Sequence, residues 1–284
     1  MRRCCVTDTL ATLRAGGIPV ADYVSGFGLD PDLAPRPHLH PVRTLGGTPV
    51  TATRQPDHRW HLGVSVALQD VDGWNFWGGR SYLRGHGYTW RDDHGRIEHA
   101  DFTELGDSGF AERLRWLTPR GEQLLAEYRQ ICARIVETGW ELEVVTALTN
   151  TADRPVRLGS PATNGRVGAG YGGLFWRLPH PAGDVGVSTA RAEGESGVHG
   201  SVAPWIAWTD HAADFTIVVA GIDDATRADP WFVRVEDYPA VGMQLAAVDP
   251  LTLPAGGTIT RGFRALVADG VLDNSVANEW TAGA

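Results

Sequence analysis

The sequence contains no lysine, so all 25 of its basic residues are arginines. Without a lysine amine, the chain cannot form a Schiff base through that side chain or use it as a general base. The arginines are outnumbered by 34 acidic residues, which give a formal net charge of −9 at pH 7. No stretch concentrates the positive charge that nucleic acids and anionic membranes attract. We therefore expect neither of these partners.

Cysteines and long apolar runs are also scarce. The three cysteines are Cys4, Cys5 and Cys132, and their spacing fits neither a disulfide framework nor a thiolate metal site. The N-terminus lacks the apolar segment of about 7–15 residues that a signal peptide needs. No apolar run approaches the roughly 20 residues of a membrane-spanning helix. The sequence therefore predicts a soluble, cytoplasmic protein.

Turn-forming residues are abundant between short apolar runs. The 35 glycines and 17 prolines are scattered along the chain, as in proteins built from many short strands. After Asn150, runs such as "FTIVVAGI" and "TITRGFRALVADG" are strand-like. We predict an all-β fold with few helices, in which residues 16–272 form a single domain. Residues 1–15 are predicted to be a flexible N-terminus and residues 273–284 a C-terminal tail.

Residues 122–136 are ambiguous between helix and strand. Six of them fit helical spacing: Leu124, Leu125, Tyr128, Ile131, Cys132 and Ile135. The following segment "WELEVVTALTN" alternates as a strand does. Pattern alone favours a helix for 122–136, whereas the resemblance described below favours a long antiparallel hairpin. We predict strands.

Seven of the ten histidines and four of the eleven tryptophans lie between His38 and His99. In "DHRWH", a spacing of three places His58 and His61 on one side of a turn, and Asp57 could fix an imidazole tautomer. A loop whose histidines bond backbone carbonyls is an equally favoured interpretation.

A second motif, "DHGRIEH", contains His94, Arg96 and His99. On a strand, Arg96 shares a face with His94 and Glu98, while His99 points to the other face. Arg96 is suited to binding a carboxylate or a sugar hydroxyl, and His94 to acid–base chemistry. An exposed, charged β-edge explains the motif equally well. The zinc signature H-E-x-x-H is absent.

Aromatic residues accompany these histidines. Trp77 and its neighbours suit stacking on sugar rings, although for any one of them a place in the core is favoured. Tyr171, in the glycine-rich "GYGGLFWR", is a better candidate for a pocket because that backbone is open. Glu127 and Arg129 share a face if their segment is a strand, and an ion pair is favoured over a catalytic carboxylate.

Several stretches resemble the PmoA-like family, domain of unknown function 6807. They are "RPHLHPVRTLGGTPVT", "DHRWHLGVSVAL", "NFWGGRSY", "DHGRIEH", "GYGGLFWR" and "PWIAW". The resemblance implies a large antiparallel β-sandwich of the galactose mutarotase kind and a role in carbohydrate metabolism. The resemblance is closer at His40 than at His38. Of the two histidines in "HLH", only His40 is therefore a candidate site residue. The mutarotase histidine motif does not follow "LEVVTALTNTADRPVRL", where "GSPATNGR" stands instead.

Together these features predict an enzyme that acts on a sugar or keto-sugar derivative. The chemistry would be histidine-assisted proton transfer, as in epimerisation, β-elimination or hydrolysis. The predicted catalytic set is His58, His61, His94 and His99, with Asp57 orienting. The predicted substrate-binding residues are His40, Trp77, Arg80, Arg96 and Tyr171. The sequence assigns no cofactor with certainty, and a divalent metal ion, if one binds, would be held by His58, His61 and His99.

Two alternatives remain open. The first is a non-catalytic carbohydrate-binding or accessory protein that partners a sugar oxidoreductase. The second, ranked last, is a histidine–metal oxygenase, as the family's methane-oxygenase label suggests. The expected partner is a small carbohydrate, and the oligomeric state is not predicted. The enzyme interpretation requires that the four catalytic histidines meet in one cavity.

Overall fold

Strands dominate the computed structural model, which describes residues 8–283. Within that range we number the strands along the chain as β1 Thr9–Ala15, β2 Ile18–Val24, β3 His38–Val42, β4 Val64–Ala67, β5 Asp70–Val71, β6 Ser81–Leu83, β7 Gly87–Thr89, β8 Arg96–Gly106, β9 Gly109–Leu117, β10 Gln123–Val136, β11 Gly139–Asn150, β12 Val156–Gly159, β13 Gly173–Arg177, β14 Val185–Thr189, β15 Trp205–Asp210, β16 Phe215–Gly221, β17 Trp231–Arg234, β18 Ala240–Met243, β19 Leu251–Leu253 and β20 Thr258–Asp269. The helices are short: α1 Gly194–Val198, α2 Asp224–Arg227, α3 Asn274–Ala282 and a 3-10 turn at Pro31–Leu33.

The strands form two large sheets and two small ones. Seven strands pair in the order β1-β2-β3-β4-β13-β18-β17, and eight pair in the order β14-β15-β16-β20-β11-β10-β9-β8. Every pairing in both large sheets is antiparallel. The small sheets are β19-β12-β5 and the hairpin β6-β7. The predicted all-β fold with antiparallel sheets and few helices is confirmed.

The two large sheets enclose one main hydrophobic core. Leu39 and Trp176 of the seven-stranded sheet lie in the same buried cluster as Trp140 and Trp208 of the eight-stranded sheet. Each of these side chains is at most 1% exposed. Because large aromatic rings bury the most apolar area per residue, they supply much of the energy that holds the layers together. The arrangement is a β-sandwich.

The segment 122–136 is a strand, as predicted. Residues 125–136 of β10 pair with 139–150 of β11 in a long antiparallel hairpin. The helical pattern arose because Tyr128, 38% exposed, and the exposed Cys132 are apolar residues on the outer face. The inner face instead carries Glu127 and Arg129, whose side chains are buried and joined at 2.7 Å. This buried pair confirms the expected ion pair. Because it places charged residues at inward positions, the segment lacks the regular apolar–polar alternation by which a strand is recognised.

Both predicted terminal segments contain ordered structure. Residues 9–15, assigned to a flexible terminus, form β1 and pair with β2. In the predicted tail, α3 packs Val276 and Trp280 against a buried cluster, and the Trp280 Nε1 donates to Glu141 at 2.8 Å. Cys4 and Cys5 lie outside the described residues. Within the described range, no helix has the length and apolar character required to cross a bilayer.

Candidate functional site

A cleft of about 540 Å³ lies beside the seven-stranded sheet. We call it the aromatic cleft, and its lining residues are Asp57, His58, Trp60, His61, Trp77, Gly78, Arg80, Tyr88, Trp90, Arg166, Ala169, Tyr171, Phe232, Arg234, Asp237 and Tyr238. They come from four parts of the chain: the turn before β4, the segment from 77 to 90, the glycine-rich loop before β13, and β17 with the turn after it. The cleft is therefore assembled from loops on a rigid sheet, which is the usual placement of a binding site.

The segment "NFWGGR" shapes one wall. The Asn75 Oδ1 accepts hydrogen bonds from the backbone of Trp77 at 2.8 Å and of Gly78 at 2.9 Å. Gly79 has a φ of +68°, and a Cβ there would lie 2.5 Å from the ring of Trp60. Only glycine combines that backbone angle with so close an approach. The turn brings the next residue, Arg80, to the cleft.

His58 and His61 form a stacked pair at the base of the cleft. Their ring centroids are 4.7 Å apart and the ring planes differ by 8°. The predicted turn holds them, since the His61 N–H donates to the His58 carbonyl at 3.1 Å. Tyr238 packs on both, with its ring 4.3 Å from His58 and 4.7 Å from His61. His58 is half-buried, whereas His61 is 1% exposed. Only His58 is therefore open to a ligand.

Burial keeps both imidazoles neutral. Burial lowers the pKa of His61 well below its ordinary value, and the neighbouring His58 and Arg177 add to the effect. Burial also lowers the pKa of His58, although Asp57 opposes the shift. The Nδ1 atom of each ring is buried without a hydrogen-bond partner within residues 8–283. A neutral imidazole can accept a proton at pH 7, which an imidazolium cannot.

Asp57 is bound more closely by arginine than by histidine. The Arg177 Nη2 donates to its Oδ2 at 2.7 Å, whereas the His58 Nδ1 lies 3.8 Å from the same oxygen. The Nε2 of His180 is 3.4 Å from it. Burial raises the pKa of Asp57, but Arg177 and the backbone N–H of His58 more than offset that effect, and the pKa is lowered. Asp57 is thus an ionised neighbour of His58.

Aromatic rings line the rest of the cleft at different depths. Trp77 is 3% exposed and packs on Tyr171 with a centroid distance of 4.7 Å. The hydroxyls of Tyr171 and Tyr88 are 2.8 Å apart, and Arg166 also donates to Tyr88. Trp90 is 50% exposed and meets Trp60 edge to face at 6.1 Å. Trp90 therefore presents the most open ring surface.

Six of the ten predicted site residues lie at this cleft. They are Asp57, His58, His61, Trp77, Arg80 and Tyr171. His40 lies elsewhere, half-buried on β3, with its Nδ1 3.0 Å from the Thr51 Oγ1. The structure brings the other three together at a different cavity.

His94, Arg96 and His99 line that second cavity, of about 660 Å³. The Arg96 Nε donates to Glu98 at 2.6 Å, and the His99 Nδ1 lies 2.7 Å from the Glu112 Oε2. Because β8 is the edge strand of the eight-stranded sheet, this motif fits the alternative of a charged β-edge. The expectation that the four histidines meet in one cavity is wrong, and the catalytic set of four histidines that required it is ruled out; only His58 and His61 of that set lie together at the aromatic cleft.

The proposed metal ligands are not brought together either. His58 and His61 are at the aromatic cleft, but His99 lines the second cavity. Within residues 8–283, no group of three or more His, Cys, Asp or Glu side chains is arranged to hold a metal ion.

Five aromatic and arginine residues of the cleft were not singled out from the sequence. They are Trp60, Arg166, Phe232, Arg234 and Tyr238. Trp60 lies within "DHRWH" and could have been identified there. The last three come from β17 and the turn after it, far along the chain, and carry no local signal.

The comparisons with known proteins identify a family. Residues 11–281 match the model of DUF6807, described as a family of unknown function, and the chain belongs to that family. That description makes no reference to methane oxidation. No curated protein sequence matches the chain.

Similar solved structures include two of the galactose mutarotase group. One is a galactose mutarotase related enzyme from Lactobacillus acidophilus, with 11% identity over 92% of this chain and 99% of that one, at a TM-score of 0.48. Another is a galactose mutarotase-like protein from Lactobacillus casei, with 10% identity over 90% and 99%, also at a TM-score of 0.48.

Proposed function

We propose that this member of the DUF6807 family binds a carbohydrate in the aromatic cleft and acts on it by proton transfer through His58. The observation that carries the proposal is the combination found in this one cavity. Aromatic rings including the exposed Trp90, arginine donors, an ionised aspartate and a neutral imidazole all line it. Its volume of about 540 Å³ suits a small molecule, since ligand pockets typically run to about 300–1,000 Å³.

The binding part rests on the two faces of a sugar ring. A pyranose offers C–H groups that pack on an aromatic face and hydroxyls that need hydrogen-bond partners. Trp90 supplies an open ring, while Arg80 and Arg166 supply donors at the same cavity. A purely apolar ligand would leave these polar groups unsatisfied, which disfavours it.

The catalytic part rests on His58. It is half-buried, neutral at pH 7 and at the surface of the cleft. A neutral imidazole can remove a proton from carbon or oxygen, and the carboxylate of Asp57 nearby stabilises the imidazolium that forms. His61 supports this ring from beneath through the stacked contact. Epimerisation and β-elimination of a keto-sugar both begin with such a proton abstraction.

A non-catalytic binding protein is the second candidate. One observation favours it: His94 and His99 lie at another cavity, so the aromatic cleft holds a single accessible imidazole. A site with one base can still exchange a proton of the bound sugar with solvent. An enzyme should therefore catalyse this exchange, whereas a binding protein should not.

One experiment tests both parts. Binding of a panel of aldoses, ketoses and sugar acids is measured by ligand-observed NMR in D₂O, and deuterium incorporation at carbon is followed in the same samples. We expect Trp90→Ala to weaken binding roughly tenfold, because about 1 kcal/mol or more of ring contact is lost. Phe27→Ala, which removes an exposed ring at the second cavity, is the matched control and should bind normally.

The exchange readout decides the chemistry. His58→Gln should bind the sugar but lose roughly 10²–10⁴-fold in deuterium exchange, the usual contribution of a general base. His94→Gln should keep the exchange. Binding without exchange in the unmodified protein would establish the non-catalytic alternative, and binding that Phe27→Ala abolishes would move the site to the second cavity.

A further inference from the structure

The positive charges of the aromatic cleft are not all neutralised by the protein. Asp57 is paired with Arg177 at 2.7 Å, and Arg234 lies 3.5 Å from Glu195. Arg80 and Arg166 also line the cleft, and neither forms an ion pair with any carboxylate in the described part of the chain. Each of them therefore leaves a positive charge at the cavity that no salt bridge neutralises.

Aromatic rings hold both guanidinium groups in place. The Cζ of Arg166 lies 4.8 Å from the ring centroid of Tyr88, and the Cζ of Arg80 lies 5.9 Å from that of Trp90. Tyr88 and Trp90 themselves line the cleft, so both guanidinium groups lie against its wall. Cation–π contacts of this kind restrain an arginine without neutralising its charge.

The charge of the cleft determines which ligand it suits. After the Asp57–Arg177 and Arg234–Glu195 pairs are set aside, Arg80, Arg166 and the exposed Asp237 remain. Two positive charges and one negative charge leave a surplus of one. A ligand with one negative charge completes the balance, whereas a doubly charged phosphate exceeds it.

The geometry points to a sugar acid as the ligand of this cleft, with its carboxylate bound by Arg80 and Arg166. The planar guanidinium fork matches a carboxylate, and a charge-assisted hydrogen bond is about twice as strong as a neutral one. The sugar ring then lies toward Trp90 and the stacked histidines. This inference rests on the proposed function and narrows it to uronic or aldonic acids.

The test compares each acid with its uncharged parent. Dissociation constants are measured by calorimetry for glucose, glucuronate, galactose, galacturonate, gluconate and glucose 6-phosphate, at low and high salt. A uronate should bind roughly ten- to a hundredfold more tightly than its parent hexose, the range expected for hydrogen bonds to a charged group. The preference should shrink at high salt, because ions screen exposed charges.

Arginine variants test which residues produce the preference for uronates over hexoses. Arg80→Gln and Arg166→Gln should each reduce uronate binding about tenfold, and should reduce binding of the uncharged parent hexose by a smaller factor, so the preference for the uronate shrinks. Arg113→Gln removes the same charge from an exposed ion pair with Asp101 on the eight-stranded sheet, and should leave both unchanged. Thermal unfolding of each variant confirms that it is folded.

The outcomes separate this inference from the function on which it rests. Equal binding of uronates and parent hexoses overturns the sugar-acid assignment and leaves the carbohydrate site in place. Tighter binding of glucose 6-phosphate than of any uronate overturns the assignment of a carboxylate ligand, although the cleft would still be an anion site. Failure of every sugar to bind overturns both proposals. A uronate preference that persists in both cleft variants but is lost in Arg113→Gln places the anion elsewhere.

Discussion

His38 should make the stability of this protein depend on pH. It lies on β3 and is 3% exposed, with its Nδ1 2.9 Å from the Arg36 carbonyl. Burial lowers the pKa of His38 to about 3, opposed by that hydrogen bond and assisted by the nearby Arg36, His40 and Arg54. In the unfolded chain the pKa of a histidine is about 6.5. Between these two pKa values, the imidazole of His38 is therefore protonated in the unfolded state and neutral in the folded state.

The difference between the folded and unfolded pKa values of His38 sets the sign and the size of its effect on stability. Above about pH 7 the imidazole is neutral in both states and contributes nothing to the pH dependence. As the pH falls below about 6.5, the unfolded state binds the proton and is favoured, so stability decreases until the folded pKa near 3 is reached. Between about pH 7 and pH 5, this one group removes about 2 kcal/mol from the free energy of unfolding.

Urea denaturation at the two pH values measures the effect. His38→Gln retains a donor for the Arg36 carbonyl but cannot be protonated, so its loss of stability between pH 7 and pH 5 should be about 2 kcal/mol smaller than in the unmodified protein. His86→Gln is the control, because it removes an exposed imidazole that is hydrated in both states. For each protein we compare the change in the free energy of unfolding between pH 7 and pH 5. Any effect of the substitution that does not depend on pH cancels in this change.

One result would refute this reasoning. If His38→Gln loses as much stability on acidification as the unmodified protein, within about 0.5 kcal/mol, the acid sensitivity lies in other groups. His61, whose pKa burial also lowers, is then the next residue to replace.

Two further predictions concern packing. Arg129→Met leaves Glu127 buried without its partner and should lower the free energy of unfolding by about 3–5 kcal/mol in urea denaturation, whereas a loss below about 1 kcal/mol would show that the pair is dispensable. Gly95→Ala places a Cβ 2.5 Å from the ring of Phe76 and should cost about 1–3 kcal/mol, read as a lower melting temperature. In Gly106→Ala the nearest contact is an ordinary 3.5 Å, and an equal loss in both variants would contradict the packing explanation.

The sheet-forming part of the fold could be predicted from local sequence. Runs such as "FTIVVAGI" and "TITRGFRALVADG" became β16 and β20 because β-branched residues bounded by glycine favour strands. The termini were less predictable. Residues 9–15 alternate weakly, and α3 is stabilised through Trp280, which bonds Glu141 across a long sequence separation. Such distant contacts leave no mark on the local pattern.

The candidate site shows the same limit more sharply. Asp57, His58 and His61 meet Trp77 and Arg80 because the intervening chain is short and crosses only β4 and β5. His94 and His99 are at least as close to Arg80 in sequence, yet their segment leads into β8 at the edge of the eight-stranded sheet. Which sheet a strand joins depends on pairing with distant strands, such as β9 here. The number of histidines therefore predicts a polar region, whereas the sheet joined by the strand nearest each histidine decides whether that histidine lies at the cleft.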